Sequence, residues 1–207
     1  MTELQIAIDG PAGSGKSTAA RQVARELGYI YVDTGALYRA VALVALKQQV
    51  DCNDEIALAK LAQSLDVAIR RQPDGSPGYF IGGEEVTGAL RSPEINRLVS
   101  HVAKIPAVRS TVTKKLQTIG NRGGVVMDGR DIGTVVLPTA EVKVFLTADL
   151  ATRVARRKQE LLERGFNLPS TAVQEEVLKR DWEDSSRQVA PLKPASDACI
   201  LDTTDRK

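Results

Sequence analysis

The run Gly10-Pro11-Ala12-Gly13-Ser14-Gly15-Lys16-Ser17 fits G-x-x-x-x-G-K-[ST], a spacing in which each residue type serves a phosphate. Glycines let the backbone turn its N–H groups inward around nucleotide oxygens, and the first turn of a following helix, opened here by Thr18, adds the positive end of its dipole. Lys16 at this place reaches the β and γ phosphates, and the Ser17 hydroxyl is offered to the Mg2+ that accompanies them. The alternative is a strand-to-helix turn whose glycines serve tightness alone. An apolar run before the loop, Leu4 to Ile8, and a helical pattern after it, Thr18 to Leu27, weigh against that alternative. The ligand class is ATP or GTP.

Arginines recur near expected strand ends and helix faces: Arg39, Arg109, Arg130, Arg153, Arg156, Arg157, Arg180 and Arg187. Switch GTPases are excluded because the chain has neither an N-K-x-D nor a D-x-x-G tetrapeptide. The arginines favour transfer between two anionic groups, whose repulsion and developing charge bidentate guanidinium groups neutralise. Arg180, Asp184 and Arg187 are spaced to share one helix face and to bind one ligand; an ordinary surface i,i+4 pair is the bland alternative. Arg153, Arg156 and Arg157, with Arg164 and Gly165 beyond, suit either a lid helix over the moving phosphoryl group or a solvated basic face.

These residues need a scaffold that converges them. Strand-like runs at Leu4 to Ile8, Tyr29 to Val32, Val125 to Met127, Val142 to Leu146 and Cys199 to Leu201 alternate with helical patterns, which predicts an α/β fold around a five-stranded parallel sheet. Ligands in such sheets sit at the carboxyl ends of the strands. Those ends carry Asp9-Gly10, Asp33-Thr34-Gly35, Asp128-Gly129-Arg130-Asp131, Thr147 and Asp202. From Val67 to Leu90 the rhythm breaks, and Pro73-Asp74-Gly75 and Gly82-Gly83 punctuate short runs that read as an inserted antiparallel unit. That unit is either decoration or a mobile subdomain over a second substrate.

With 207 residues, 43% apolar and 26% charged, the chain can bury one proper core, and a net charge of +2 gives no bulk basicity for nucleic acid. Cys52 and Cys199 form no C-x-x-C pair and read as small buried hydrophobes in a reducing compartment. With no basic apolar leader and no membrane-length apolar stretch, the expected location is cytoplasmic. His101 is the single histidine, which argues against a His-based nucleophile, and Trp182 reads as a packing aromatic.

Over nearly its whole length the chain resembles the bacterial cytidylate kinase family of nucleoside monophosphate kinases. Four segments carry the resemblance in order: Asp9 to Thr18, Asp33-Thr34-Gly35-Ala36-Leu37-Tyr38-Arg39, Asp128-Gly129-Arg130-Asp131-Ile132-Gly133-Thr134, and Arg180-Asp181 through Arg187 followed by Pro191-Leu192. The resemblance implies a three-layer P-loop kinase fold in a single domain. It also implies an acceptor-binding insertion at about 62–92 and a helical lid at about 150–168. The implied reaction is transfer of the γ-phosphoryl group of MgATP to CMP or dCMP, in pyrimidine nucleotide metabolism, by a monomer that uses neither nucleic acid nor membrane.

By that resemblance Gly10 to Thr18 and Arg156 hold ATP, and Lys16, Arg130, Arg153, Arg157 and Arg187 serve transfer. Arg39, Arg130 and Arg187 take the CMP phosphate, with Thr34 and Tyr38 in the same motif; Thr34 stands where the family usually has serine. Ser100, Arg109 and Asp184 read the cytosine, Arg180 and Asp184 take the 2′-hydroxyl, and Asp131 orients the sugar or its neighbours. The family also has a terminal helix after the last strand, so the stop at Lys207 leads to the expectation of an apolar patch on the sheet's outer side.

Overall fold

The structure, a computed structural model, describes residues 3–72, 76–163 and 165–206, so the expected Pro73-Asp74-Gly75 turn and Arg164 lie outside the described residues. Along the chain come β1 (Gln5–Asp9), α1 (Lys16–Leu27), β2 (Ile30–Asp33), α2 (Thr34–Lys47), α3 (Glu55–Ser64), β3 (Val67–Arg71), β4 (Pro77–Ile81) and β5 (Glu84–Glu85). A 3₁₀ turn (Ala89–Arg91), α4 (Pro93–Val102), α5 (Pro106–Gly120), β6 (Val125–Gly129) and a π-helical turn (Ile132–Val136) follow. The chain then forms β7 (Val142–Thr147), α6 (Leu150–Glu163), α7 (Ser170–Ser185) and β8 (Cys199–Asp202).

The five apolar runs become one parallel sheet in the order β2-β6-β1-β7-β8. Side chains alternate across it. Ile6, Ile8, Val126 and Leu146 face the small residues Ala20 and Ala24 of α1, while Ala7, Val32, Val125 and Met127 face α2 and its neighbours on the other side. A sheet covered on both faces explains why its central strands read as unbroken apolar runs rather than alternating ones. With strands β1 and β6 adjacent, their carboxyl ends bring the phosphate-binding loop beside Asp128-Gly129-Arg130.

Helix starts follow local chemistry. Ser92 accepts from Ile95 N–H ahead of Pro93 in α4, and Asp54 accepts from Ala57 N–H in α3. The insertion is a three-stranded antiparallel sheet, β3-β4-β5, closed between β4 and β5 by Gly82-Gly83 at φ 58° and 86°. Tyr79 of β4 is 2% exposed, and its hydroxyl accepts from Asp33 N–H at 3.1 Å, which docks the insertion onto the end of β2. Helices α6 and α7 hold a separate apolar cluster of Val154, Leu161, Val173 and Val177.

Three expectations change. Cys199 is exposed rather than buried, because β8 is an edge strand, and Ile200 and Leu201 on it are exposed as well. Trp182 is 70% exposed, because α7 turns Val173 and Val177 inward instead. Cys52 is only partly buried.

Candidate nucleotide site

The loop from Gly10 to Ser17 leaves β1 and enters α1 with Gly13 at φ 76°, where a Cβ would stand 2.6 Å from the Arg153 carbonyl oxygen. Only glycine allows α6 to lie directly against the loop. Lys16 Nζ donates to Pro11 O at 2.9 Å, and burial, reinforced by the nearby Arg130 charge, pushes its ammonium down to about 7. Ser17 Oγ donates to Asp128 Oδ2 at 2.7 Å, and the Tyr31 hydroxyl donates to the other oxygen at 2.7 Å. Burial and then the Asp33 charge raise the Asp128 carboxyl above its ordinary value. Burial acts to raise Asp33 too, yet Arg39 and Arg91 outweigh it and hold that carboxyl low.

On the opposite side the cations are held by carboxylates. Arg109 Nη2 meets Asp131 Oδ2 at 2.6 Å with both side chains nearly inaccessible, while its Nη1 donates to Ala103 O and its guanidinium lies 5.4 Å from the centre of the Tyr38 ring. Arg130 Nε donates to Asp184 Oδ2 at 2.6 Å, and Arg187 Nη2 lies 3.4 Å from Asp184 Oδ1. Arg39 pairs with Asp33. Among the described residues the buried Arg39 Nε and Arg187 Nη2 nevertheless find no hydrogen-bond partner. Desolvation, with Arg130 close by, lowers Arg180 to about 10, and desolvation lowers Arg187 as well. Crowded cations with unsatisfied donors fit an anion arriving between them.

Helices α6 and α7 supply the rest. Arg153 is buried behind the loop, donating to Ala12 O at 3.2 Å and to Asp181 Oδ2 at 2.6 Å. Arg157 is clasped by Glu160 and Glu176. Arg156 points to the chain after β8, donating to Thr203 O at 2.6 Å and Arg206 O at 2.7 Å. Together these elements enclose a cleft of about 1240 Å³. That exceeds the roughly 300–1,000 Å³ of an ordinary small-molecule pocket, as two ligands side by side require.

A family model described as cytidylate kinase matches residues 6–207. A cytidylate kinase of Exiguobacterium sibiricum is 50% identical over 99% of this chain and 92% of its own length. That of Bacillus subtilis is 48% identical over 98% and 90%. The chain belongs to the cytidylate kinase family. As a member of that family it is a kinase, a transferase that works on nucleotides. A solved structure of an uncharacterized protein from Eubacterium ventriosum, 12% identical, aligns with TM-score 0.50 over 98% of this chain and 90% of that one, a likeness of fold alone.

In this cytidylate kinase family member the cleft is lined by Ala12, Gly13, Gly15, Lys16, Ser17 and Thr18 of the phosphate-binding loop and the start of α1. Thr34, Tyr38, Arg39, Ser100, Arg109, Arg130, Asp131, Arg180, Asp184 and Arg187 line it as well, together with Arg156 and Arg157. Gly10, Pro11, Ser14 and Arg153 stand behind this surface and do not line it. The Arg153 guanidinium is thus a brace between loop, α6 and α7 rather than a cation swung free over the cleft. The Thr34 hydroxyl is committed to Asp128 O at 2.8 Å. The sequence places Asp128 at a strand end in one of the family segments, yet sequence reasoning gives it no site role, although an acid near the end of an apolar strand is the available signal. Arg91, Asn96, Thr203 and Arg206 also line the cleft, and nothing in their local sequence marks them.

Proposed function

We propose that this protein is an ATP:(d)CMP phosphotransferase that converts MgATP and CMP or dCMP to ADP and CDP or dCDP. The observation that carries this reading is one cleft lined both by a phosphate-binding loop and by crowded arginines holding unsatisfied donors beside the buried Arg109–Asp131 pair. Membership of the cytidylate kinase family supports it.

The loop N–H groups and Lys16 bind the ATP phosphates, and Arg156 lies along the donor nucleotide. Ser17 Oγ and the Asp128 carboxylate, 2.7 Å apart, form the hard oxygen set that suits Mg2+. When bound, that ion neutralises charge between the β and γ phosphates. Arg39, Arg130 and Arg187 take the acceptor phosphate; Ser100, Arg109 and Asp184 read the base; Arg180 and Asp184 hold the 2′-hydroxyl. Asp131 acts through Arg109, and the Tyr38 ring supports the Arg109 guanidinium. An ionised oxygen of the acceptor phosphate forms the new bond to the γ-phosphorus as the bridging bond to ADP breaks. No general base is needed, so alignment, cationic stabilisation and water exclusion supply the rate.

The insertion, about 62–92, and the α6 region, about 150–168, are the parts that close over the substrates. The α6–α7 pair carries its own apolar cluster, so it can move as a unit. The protein acts as a cytoplasmic monomer without nucleic acid, and among its described residues no helix is long and apolar enough to cross a membrane. A coupled ADP-release assay with MgATP and CMP, dCMP, UMP, AMP, GMP or dTMP tests the proposal, with Lys16→Ala as control. Turnover confined to CMP and dCMP is the expected result; stronger turnover with another acceptor removes the base assignment, and none at all removes the reaction.

A further inference from the structure

Asp9 ends β1 immediately before the phosphate-binding loop, yet its carboxylate is turned sideways to the loop that follows β6. Oδ1 accepts from Ile132 N–H and Oδ2 from Gly133 N–H, each at 2.8 Å. These are the first N–H groups of the π-helical turn Ile132–Val136, which Asp131 precedes without capping. Such single π turns concentrate at functional sites and leave backbone donors for other groups to satisfy. Asp9 is only 4% exposed, and burial pushes its carboxyl up to about 6 even though the two N–H groups pull it down. An apolar residue would close a buried strand at far less desolvation cost.

What the bonds hold explains the arrangement. Arg130 and Asp131 sit directly before the clamped amides, and their side chains reach Asp184 and Arg109 at 2.6 Å each. Thus a single carboxylate ties the start of the donor loop to the segment that presents the acceptor-side charges. We propose that Asp9 is a positioning residue, fixing Arg130 and Asp131 for the acceptor nucleotide from the root of the donor loop. It touches neither substrate. The inference rests on the acceptor reading of Arg130 and Asp131 given above.

The test is the Asp9→Asn variant, whose side chain keeps one acceptor oxygen and turns an amide toward the second backbone N–H. Kinetics are measured with MgATP against CMP and UMP, alongside thermal melting. The expected result is a KM for CMP raised about tenfold and a CMP-over-UMP preference lowered about tenfold, the size of one lost hydrogen bond to a charged group, with KM for ATP within about twofold. Equal changes in both KM values, or a lowered melting point with unchanged kinetics, would overturn the proposal by making Asp9 a purely structural residue. Should the variant not fold, amide exchange in the unaltered protein decides: Ile132 and Gly133 N–H are protected in the free enzyme and further slowed by CMP but not by ATP, whereas rapid exchange rejects the clamp. If the unaltered enzyme prefers another nucleoside monophosphate, the acceptor reading fails, and Asp9 is then judged by the same KM split with that acceptor.

Discussion

Arg109 and Asp131 form a buried ion pair at 2.6 Å, with side-chain exposures of 4% and 7%. Removing one partner from such a pair costs about 3–5 kcal/mol, because the other charge is stranded away from water. Arg109→Met therefore loses stability as well as base reading. Asp131→Asn, which keeps an oxygen near the guanidinium, separates the two effects: the ratio of kcat/KM for CMP over UMP falls about 10- to 100-fold while KM for ATP stays within about twofold. Steady-state kinetics with both acceptors checks this.

Lys16→Ala abolishes most transfer and spares the fold. Among the described residues Lys16 Nζ donates to Pro11 O alone, and a desolvated ammonium adds little to stability. Loss of one preorganised charge at a transferring phosphate lowers kcat by about 100- to 1,000-fold. Turnover and thermal melting, measured together, distinguish this from a damaged loop.

Asp128→Asn tests the oxygen set beside Ser17. Tyr31 and Ser17 both donate to this carboxylate, so an amide in its place meets two donors with a single acceptor oxygen. The expected outcome is a magnesium requirement shifted at least about tenfold upward together with reduced kcat, read from initial rates across a magnesium titration. Tyr31→Phe, which removes only the supporting hydroxyl, shows a smaller shift in the same direction.

Tyr79→Phe loosens the insertion. Asp33 N–H loses its acceptor at 3.1 Å, and an unmet donor at this partly buried place costs about 1 kcal/mol, the low end of the range for a buried one. Melting falls by about 2–4 °C per kcal/mol for a chain of this size. Because Asp33 also holds Arg39, kcat/KM for CMP falls more than kcat/KM for ATP, which acceptor and donor titrations read separately.

Acid stability reports on Asp184. Burial raises its carboxyl, but Arg130, Arg180 and Arg187 together hold it below the ordinary 3.8. A carboxyl lowered in the folded state contributes stability that is fully present above the unfolded value and is lost as pH falls through the folded one. Denaturant unfolding between pH 5 and pH 2.5 should therefore show a decline that is shallower in Asp184→Asn, with the difference confined to pH below about 4.

The sequence by itself determined the order of strands and helices, the phosphate loop and the chemistry of the strand ends. Those features are local: an apolar run, a glycine spacing and an acid after a strand act through their immediate neighbours. The five runs from Leu4 to Leu201 read as strands and fold as one parallel sheet. Tertiary structure decided which charges meet. Arg153 and Arg157 share a helix face in sequence, yet one is walled in behind Gly13 while the other lines the cleft, because α6 packs where Gly13 has no side chain. Trp182 and Cys199 face outward because α7 and β8 have other surfaces turned inward, which depends on the neighbours each acquires in the fold. Asp128 meets Ser17, and Asp9 meets Ile132 and Gly133, across 111 to 124 residues of chain. Spacing in the sequence does not fix such contacts, because they depend on β1 lying beside β6, which brings the segments that follow each strand within reach of the other.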